Sequence, residues 1–428
     1  MIKNLTFLYK KYTSYYSGLS IQCWHSIFLT FIESLATGIC FFLSLYFIDY
    51  LHISIANAGL LISSYGMGTI FGGIFGGKLT DTFSAKLVSV ISLFIQAASF
   101  LLLATLENIS LLIINLFLIG LCTYGFITSN NVWILKHCGN RSDMKLKSIN
   151  ISRAASNLGM GLSGFIIGIL DENGFRSIFY FSAIALIFSG IYFQFFIKKE
   201  DIEFSLEKTA STDEVMLSTS QNNNKIFLII LVCLFLVGLI IAQLSVTYPV
   251  YIKEIFPEMG MHAVSSLFIL DTLLIVIFQA PLVGSLKRFN KIFLVGLGAI
   301  FMGLGMFILN FSFIFILAIM SCFIWTTGEM LFVAMTQLVC YEKNKEEKKG
   351  FAMGIFQAVS ASSRVIGPSI GGVIYYHFGG DILWSISLVI GIICFFICYS
   401  FKDYDDPLIN PSSEFLSCHS REGGNSFS

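Results

Sequence analysis

Charged residues are scarce in this sequence of 428 residues, since only 12% are Asp, Glu, Lys or Arg. A typical soluble domain contains about 25%. Hydrophobic residues make up 56% of the chain, more than a soluble core can bury. The formal net charge is zero, which argues against a nucleic-acid partner. The composition therefore excludes an ordinary soluble protein and predicts a chain whose main partner is the lipid bilayer.

Motifs for metal, phosphate or covalent chemistry are also missing. Most of the ten cysteines lie in apolar stretches, and the one close pair, Cys394 and Cys398, has helical i, i+4 spacing, so we expect free buried thiols. No Cys and His spacing is typical of a metal site, and there is no phosphate-binding loop. The sequence therefore predicts no metal, no cofactor and no ATP-driven transport. The absence of a clustered nucleophile or a catalytic His at depth argues against an enzyme.

Apolar stretches long enough to span a ~30 Å hydrocarbon core recur along the chain. The first begins near Trp24 and is too long for the apolar part of a cleavable signal, so we expect a first membrane helix. We predict twelve spans, over residues 24–48, 58–77, 87–105, 109–134, 149–170, 177–197, 226–248, 263–285, 292–310, 313–338, 351–376 and 382–401.

One long polar connection divides the chain. Residues 198–225 are charged and then rich in Ser, Thr and Asn, which predicts a linker between two bundles of six spans, 24–197 and 226–401. Residues 1–23 form an N-terminal segment, and the tail 402–428 lacks apolar periodicity, so we expect it to be disordered.

The distribution of basic residues predicts the orientation. Of the 26 Lys and Arg residues, 22 fall in the N-terminus, the even-numbered connections and the tail, whereas Arg176 and Lys253 alone lie in the opposite connections. Cytoplasmic loops carry the excess of Lys and Arg. We therefore expect both termini in the cytoplasm, in a plasma membrane or a bacterial inner membrane.

The two halves resemble each other. Ser163-Gly164 in the fifth span corresponds to Gly367-Pro368 in the eleventh, and the GSLKRFNK turn at 284–291 corresponds to the turn at 78–86. A six-plus-six repeat is typical of transporters built from two bundles about an axis normal to the membrane. The predicted fold class is an all-α integral membrane protein with twelve helices in two six-helix bundles.

The second span carries a stripe of small residues. Gly59, Ser63, Gly66, Gly73 and Gly77 fall within a narrow arc at 100° per residue. Small residues on one face let a neighbouring helix backbone approach closely inside a membrane. The pattern predicts a close helix–helix contact along this face.

A polar turn follows this stripe. The segment from Gly77 to Lys86 places Asp81 between two lysines at a predicted helix hairpin. It resembles the loop between the second and third helices of the major facilitator superfamily, which has Gly, three residues, Asp, and then a basic run. Gly77, Asp81 and Lys86 match this pattern. Thr82, Ser84 and Ala85 depart from it.

This resemblance extends over residues 24–401 in span number, linker and repeat. It implies a transporter of small molecules that works by alternating access, with a gating role for Gly77, Asp81 and Lys86 and a monomeric state. The segment 328–379 is further similar to helices 10 and 11 of the multidrug-efflux branch. That similarity rests on Gly328-Glu329, Lys349-Gly350, Met353-Gly354, Gly367-Pro368 and Gly371-Gly372.

Two features depart from the efflux branch. That branch usually carries Gly-Pro and Gly-Gly in helix 5 and an Arg in helix 4. Here helix 5 has Ser163-Gly164 without proline, and helix 4 has no basic residue before its end. These departures leave it open whether the protein exchanges protons for its substrate.

Glu33 is the strongest candidate for a functional residue. Ser26, Thr30, Glu33, Thr37 and Ser44 fall on one face of the first span. The resemblance implies that this helix lines a central cavity with the fourth, seventh and tenth. A carboxylate in a partly dry cavity has its charged form disfavoured, so it can take up and release a proton. Glu33 therefore binds a proton or a cationic substrate, or else partners a nearby donor.

Four other charged residues lie inside predicted spans, where a charge costs roughly 2.5–3.5 kcal/mol on insertion scales. Glu329 lies one turn after Trp325, and a carboxylate beside an aromatic ring suits a cationic amphipathic substrate. The alternative is that Glu329 pairs with Arg364 on the next span. Asp271 couples protons or forms an ion pair. Arg153 and Arg364 bind an anionic substrate or pair with a carboxylate.

We therefore predict a secondary transporter of small organic solutes, with proton-coupled efflux of amphipathic compounds as the leading hypothesis. The alternative is proton-coupled uptake of a nutrient such as an amino acid, a sugar or a carboxylate. A membrane-embedded enzyme and a transporter-like sensor without flux are further alternatives.

Overall fold

The structure, a computed structural model, describes residues 10, 13–43, 46–53, 55–139, 141–169, 175–197, 213–286, 288–345 and 348–402. These residues form long helices and no β-strand. The first ten long helices are α1 Ile21–Thr37, α2 Ile55–Thr82, α3 Ala85–Leu103, α4 Ile109–His137, α5 Ser142–Ile169, α6 Phe175–Phe196, α7 Asp213–Gln243, α8 Met261–Ser285, α9 Lys291–Ile308 and α10 Phe315–Glu342.

The last helical stretch, Lys349–Ser400, contains two helices. Gly379 has φ 80° and ψ 174°, a conformation that breaks the helix and that glycine adopts without a Cβ penalty. We refer to residues 349–378 as α11 and to 380–400 as α12. The predicted separation of the eleventh and twelfth spans therefore lies at this glycine.

The membrane-spanning character of the chain follows from these helices. Ten helices among the described residues are long and apolar enough to cross a membrane, and one of them is the stretch that holds α11 and α12. The remaining long helix, α5, is not among the ten, and its first half carries Ser, Asn, Lys and Arg. The prediction of twelve membrane helices in two bundles is confirmed, and the chain is a multi-pass integral membrane protein.

Shorter elements modify three predicted spans. α1 ends at Thr37, and the span continues as a 3-10 helix, Gly38–Phe42, and a π-helical turn, Tyr46–Tyr50. After α7 the chain forms a short helix, Thr247–Ile255, and a 3-10 turn, Leu309–Phe311, follows α9. The predicted spans were continuous at these places, because hydropathy does not distinguish one type of helix from another.

The connection between α2 and α3 is shorter than the sequence predicted. α2 continues through Asp81 to Thr82, and Ser84 caps α3 by accepting a hydrogen bond from the Leu87 N–H at 3.1 Å. The predicted polar turn from Gly77 to Lys86 is wrong in this respect, because the polar residues lie on the last turns of α2 and the first turn of α3.

The predicted linker is partly helical. α7 begins at Asp213, so residues 213–225 extend the seventh helix, whereas 198–212 lie outside the described residues. Residues 1–9, 11 and 12 of the predicted N-terminal segment and the tail from 403 onward also lie outside them, and the assignment of disorder to that tail stays a prediction. The domain boundaries likewise stay predictions.

Each half has its own apolar core. One cluster of buried residues draws only on the first half of the chain, and the other draws mostly on α7 to α12. The nine cysteines in the described part of the chain are free, and Cys233 Sγ lies 4.0 Å from Cys398 Sγ, between α7 and α12.

The internal repeat has a structural counterpart. A Cβ added at Gly38, just after α1, would lie 2.5 Å from the Ser163 Cβ of α5. A Cβ added at Gly367 of α11 would lie 2.5 Å from the Ala242 Cβ of α7. The fifth helix of each half therefore packs closely against the first helix of that half, at the positions that the sequence comparison paired.

The two halves meet along α2 and α11. A Cβ added at Gly66 would lie 2.8 Å from Val365 Cγ2, one at Gly73 would lie 2.9 Å from the Ala358 nitrogen, and one at Gly77 would lie 2.4 Å from the Gly350 oxygen. The predicted contact of the small-residue stripe is confirmed at these three glycines.

The contact opens towards the other end of the bundle. Gly59 lies seven residues before Gly66 on the same face of α2, and Gly372 lies seven residues after Val365 on α11. A Cβ at Gly59 or Gly372 would meet no heavy atom within 4 Å. α2 and α11 are therefore in backbone contact at the Asp81 end and diverge towards the opposite end.

Candidate functional site: a cavity between the two halves

A cavity of about 270 Å³ lies between the halves, close to the lower end of the usual range for small-molecule sites of ~300–1,000 Å³. Residues of α1, α2, α4, α5, α7, α10 and α11 line it. The α7 wall is apolar, with Leu234 and Ile241, whereas α1, α4, α5 and α11 contribute hydroxyl, amide and charged groups. Its size and lining suit a small organic solute with polar groups and an apolar part.

Glu33 lies on the wall of this cavity, as the sequence predicted. Only 1% of its surface is exposed. The Gln96 Nε2 of α3 lies 3.5 Å from Glu33 Oε1 and also donates to Thr123 Oγ1 at 2.6 Å. Among the described residues, no Lys, Arg or His forms an ion pair with Glu33. Its polar neighbours are therefore neutral.

The polar face of α1 contacts α4 through one asparagine. Asn130 Nδ2 donates to Thr30 Oγ1 at 2.9 Å, and the Ser26 hydroxyl donates to Asn130 Oδ1. Thr30, Glu33 and Thr37 all line the cavity, whereas Ser44 lies outside the described residues. The stripe on α1 therefore serves both as a cavity wall and as a contact between helices.

Arg153 and Glu329 form an ion pair across the two halves. Arg153 Nη2 of α5 donates to Glu329 Oε1 of α10 at 3.1 Å, with 19% and 16% of the two side chains exposed. The sequence suggested Arg364 as a possible partner of Glu329. In the structure the partner of Glu329 is Arg153. Proximity along the sequence favoured Arg364, whereas in the structure α5 of the first half contacts α10 of the second half.

Asp271 belongs to the same charge cluster without lining the cavity. Thr326 Oγ1 of α10 donates to Asp271 Oδ1 at 2.9 Å. Asp271 also interacts electrostatically with Arg153 and with Glu329. Three helices, α5, α8 and α10, thus share this cluster.

Trp325 lies away from the cavity. Its side chain is fully buried, its ring packs edge-on against Tyr248 with centroids 6.1 Å apart, and a Cβ at Gly305 would lie 2.5 Å from its backbone nitrogen. One turn of helix separates Trp325 from Glu329, but the two side chains are directed to different neighbours. Trp325 is therefore not part of the cavity wall.

Arg364 lies on α11 and is exposed to the cavity. Its Nη2 donates to Ser360 Oγ at 3.0 Å, and its guanidinium carbon lies 6.0 Å from the centre of the Tyr124 ring of α4. No carboxylate in the described part of the chain lies within ion-pair distance of it.

The Asp81 end of the cavity is closed by a contact between the halves. Asp81 Oδ1 accepts from the Gly350 N–H at 2.7 Å, and Oδ2 accepts from the Phe351 N–H at 2.6 Å. These N–H groups lie in the first turn of α11, where a helix has unpaired donors and a positive dipole end. Gly77, one turn earlier, contacts the Gly350 backbone.

Lys86 is directed elsewhere. Its Nζ donates to the Gln194 and Ile197 carbonyls at the end of α6, at 2.8 Å for Gln194. A cation at a helix C-terminus satisfies free carbonyls and complements the dipole. Gly77 and Asp81 thus meet at the closure between the halves, and Lys86 supports the packing of α3 against α6.

Sequence reasoning missed the uncharged amides of this site. Gln96, Gln337 and Gln357 lie inside spans and are buried, with Gln337 and Gln357 on the cavity wall. An amide inside an apolar stretch was a usable signal, although a weaker one than a charge, because a neutral polar group is easier to bury.

The comparisons with known proteins agree with this architecture. The profile of the Major Facilitator Superfamily matches residues 26–368. The chain belongs to this superfamily. Its members are transporters rather than enzymes, and the predictions of a transporter and of no enzyme are confirmed at that level. No group of three or more His, Cys, Asp or Glu in the described residues has the arrangement of a metal site.

Two bacterial relatives are similar over most of their length. The chain is 26% identical over 380 residues to the uncharacterized MFS-type transporter YqjV of Bacillus subtilis (strain 168), covering 86% of this chain and 90% of the relative. It is 20% identical over 359 residues to Multidrug resistance protein 2 of the same organism, covering 81% of this chain and 86% of that protein.

Two solved structures share the fold. The human organic anion transporter MFSD10 (TETRAN) aligns with a TM-score of 0.68 at 13% identity, over 87% of this chain and 98% of that one. The nucleoside transporter NupG aligns with a TM-score of 0.58 at 14% identity, over 89% and 99%. At these identities the likeness concerns the fold alone.

Proposed function

We propose that this superfamily member is a proton-coupled transporter that exports amphipathic organic compounds by alternating access. Glu33 carries the proposal, because it is a buried carboxylate on the cavity wall with neutral neighbours. Gln96 Oε1 is buried and has no hydrogen-bond partner among the described residues. A protonated Glu33 has an O–H that can donate to this oxygen, whereas the ionised carboxylate accepts from the Gln96 amide nitrogen. Gln96 thus suits both protonation states.

Alternating access is supported by the asymmetry of the α2–α11 contact. The Asp81 end is closed by backbone contact, and the opposite end diverges. With the orientation that the basic residues predict, the closed end faces the cytoplasm, in a plasma membrane or a bacterial inner membrane. Rocking of one six-helix bundle against the other then moves the opening to the cytoplasmic side. The family resemblance implies a monomer, and we include that state in the proposal.

Export is supported by two observations of unequal weight. The segment 328–379 resembles helices 10 and 11 of the efflux branch in sequence. One relative, 20% identical, has a name that refers to multidrug resistance. Both observations concern the family branch.

Uptake of a nutrient by proton symport is the second candidate. The cavity wall favours it, since Asn130, Asn157, Gln357 and Ser360 present amide and hydroxyl groups to the space between the halves. Such groups recognise a hydrophilic solute through directed hydrogen bonds. The missing Gly-Pro in the fifth helix supports the same candidate.

The sign of a proton flux distinguishes these candidates. We would reconstitute the purified protein in liposomes with a trapped pH dye and add amphipathic drugs, amino acids, sugars or carboxylates outside. Antiport predicts that protons leave as the compound enters, and symport predicts that they enter with it. Empty liposomes report passive movement of weak acids and bases.

The variant Glu33→Gln tests the coupling residue. Removal of the titratable group should abolish compound-driven proton flux while exchange of labelled substrate across the membrane continues. Glu107→Gln is the matched control, because Glu107 is exposed and pairs with Arg176 near one end of the bundle. Proton flux that is unchanged in Glu33→Gln contradicts the proposed role of Glu33. Absence of flux for every compound contradicts the transport proposal itself.

A further inference from the structure

We propose that the substrate is an organic anion and that Arg364 binds its anionic group. This inference rests on the proposed function and names the chemical class that the cavity recognises.

Arg364 is the cavity cation that lacks an ion pair among the described residues. Its contacts are with its own helix, through Ser360 Oγ at 3.0 Å and the Ser360 carbonyl at 3.4 Å, and with the face of Tyr124. A charged side chain at membrane depth is rare unless it faces an aqueous space and meets a partner there. The exposed guanidinium therefore has its remaining N–H donors, on Nη1 and Nη2, available to a ligand.

The carboxylates in and near the cavity have other contacts in this arrangement. Glu329 is engaged by Arg153, Asp271 accepts from Thr326, and Glu33 lies beside Gln96. Each carboxylate is thus held by a different helix contact. None of them lies within ion-pair distance of the Arg364 guanidinium.

Arg153 adds a second donor to the same space. Its Nε is buried and has no hydrogen-bond partner among the described residues, although Nη2 is bound to Glu329. Both arginines line the cavity, so an anion bound in it can interact with two guanidinium groups.

The surroundings determine the rest of the ligand. The Tyr124 ring of α4 faces the Arg364 guanidinium, Phe356 lies two turns earlier on α11, and the neighbouring α7 wall is apolar at Leu234 and Ile241. A planar guanidinium fork matches the two oxygens of a carboxylate. The site therefore suits a carboxylate attached to an aromatic or aliphatic body, and a cationic amphipath would meet like charge at Arg364.

The test compares ligands that differ mainly in charge. Naphthoate against naphthylmethylamine and indoleacetate against tryptamine are two such pairs. We would measure ligand-dependent thermal stabilisation of the purified full-length protein in detergent, and dissociation constants for the ligands that stabilise it. The wild type should be stabilised by the carboxylates and not by the amines. Stabilisation by the amines alone, or by neither class, overturns the proposal.

Variants then locate the anion. Arg364→Gln should weaken carboxylate binding roughly tenfold to a hundredfold, the loss expected for a charge-assisted pair. Arg364→Lys keeps the charge and should recover part of the affinity. Arg141→Gln is the matched control, since Arg141 is exposed and bound to Asp143 outside the cavity. The melting temperature without ligand checks that each variant folds.

The outcomes separate this inference from the proposed function. Unchanged carboxylate affinity in folded Arg364→Gln overturns the inference even if the liposomes transport other compounds. Carboxylate binding that depends on Arg364, without flux of any compound, leaves the inference standing and contradicts transport.

Discussion

Asp81 at the end of α2 accepts a hydrogen bond from the backbone N–H of Gly350 at the start of α11, at 2.7 Å. This bond joins the two halves of the transporter at the closed end of the cavity. It exists only while that end is closed, because α2 and α11 belong to different bundles. We therefore expect it to stabilise one state of the transport cycle relative to the other.

Asp81→Asn should slow transport more than it weakens substrate binding. The asparagine keeps one oxygen but loses the negative charge at the N-terminus of α11, a change of about 1 kcal/mol. The closed-to-open ratio at this end should fall roughly fivefold to tenfold. The measurement is turnover in liposomes beside the dissociation constant, with Asp143→Asn as the control. Collapse of binding with a normal rate per bound substrate would contradict this role.

Gly77→Ala should hold the Asp81 end open. Its Cβ would lie 2.4 Å from the Gly350 oxygen, so α2 and α11 must separate there. Overpacking of this kind costs roughly 1–3 kcal/mol. A reporter Gln357→Cys on the cavity wall should react faster with an impermeant thiol reagent added from the Asp81 side. Gly59→Ala meets no atom within 4 Å, so equal rates in the two variants would show that close packing is not the cause.

The effects of Arg153 and Glu329 on the free energy of unfolding should be coupled. Removing either partner alone leaves a largely buried charge without compensation and should cost on the order of 3–5 kcal/mol. The double variant Arg153→Gln with Glu329→Gln should lose clearly less than the sum of the single losses. A double-mutant cycle on the free energy of unfolding in detergent measures this coupling. Additive losses would mean that the two side chains act independently.

Lys86→Met should affect stability rather than gating. The variant removes the donor to the Gln194 and Ile197 carbonyls at the end of α6, with an expected loss of about 1 kcal/mol. Turnover per folded molecule should stay close to that of the wild type. Melting temperature and turnover measured on one preparation test this. A selective loss of turnover would show that Lys86 has a gating role.

The contrast between Asp81 and Lys86 shows how far a local motif predicts function. Both residues belong to one short sequence pattern, and both were assigned to the gate. Asp81 lies where α2 meets the other half, whereas Lys86 lies one helix later, on a side that faces α6. A pattern along the chain contains no information on which neighbour each face of a helix will meet.

The sequence alone determined that this chain is a twelve-helix membrane protein with a six-plus-six repeat, because lipid requires long apolar helices and close packing there requires small residues. It also indicated Glu33, since a carboxylate on a polar stripe needs an aqueous cavity. Only the tertiary structure decided that Glu329 pairs with Arg153, that Trp325 faces away from the cavity, and that Arg364 is exposed to it. Partners of charged side chains depend on which helices meet across the cavity, and that arrangement results from the packing of all twelve helices together.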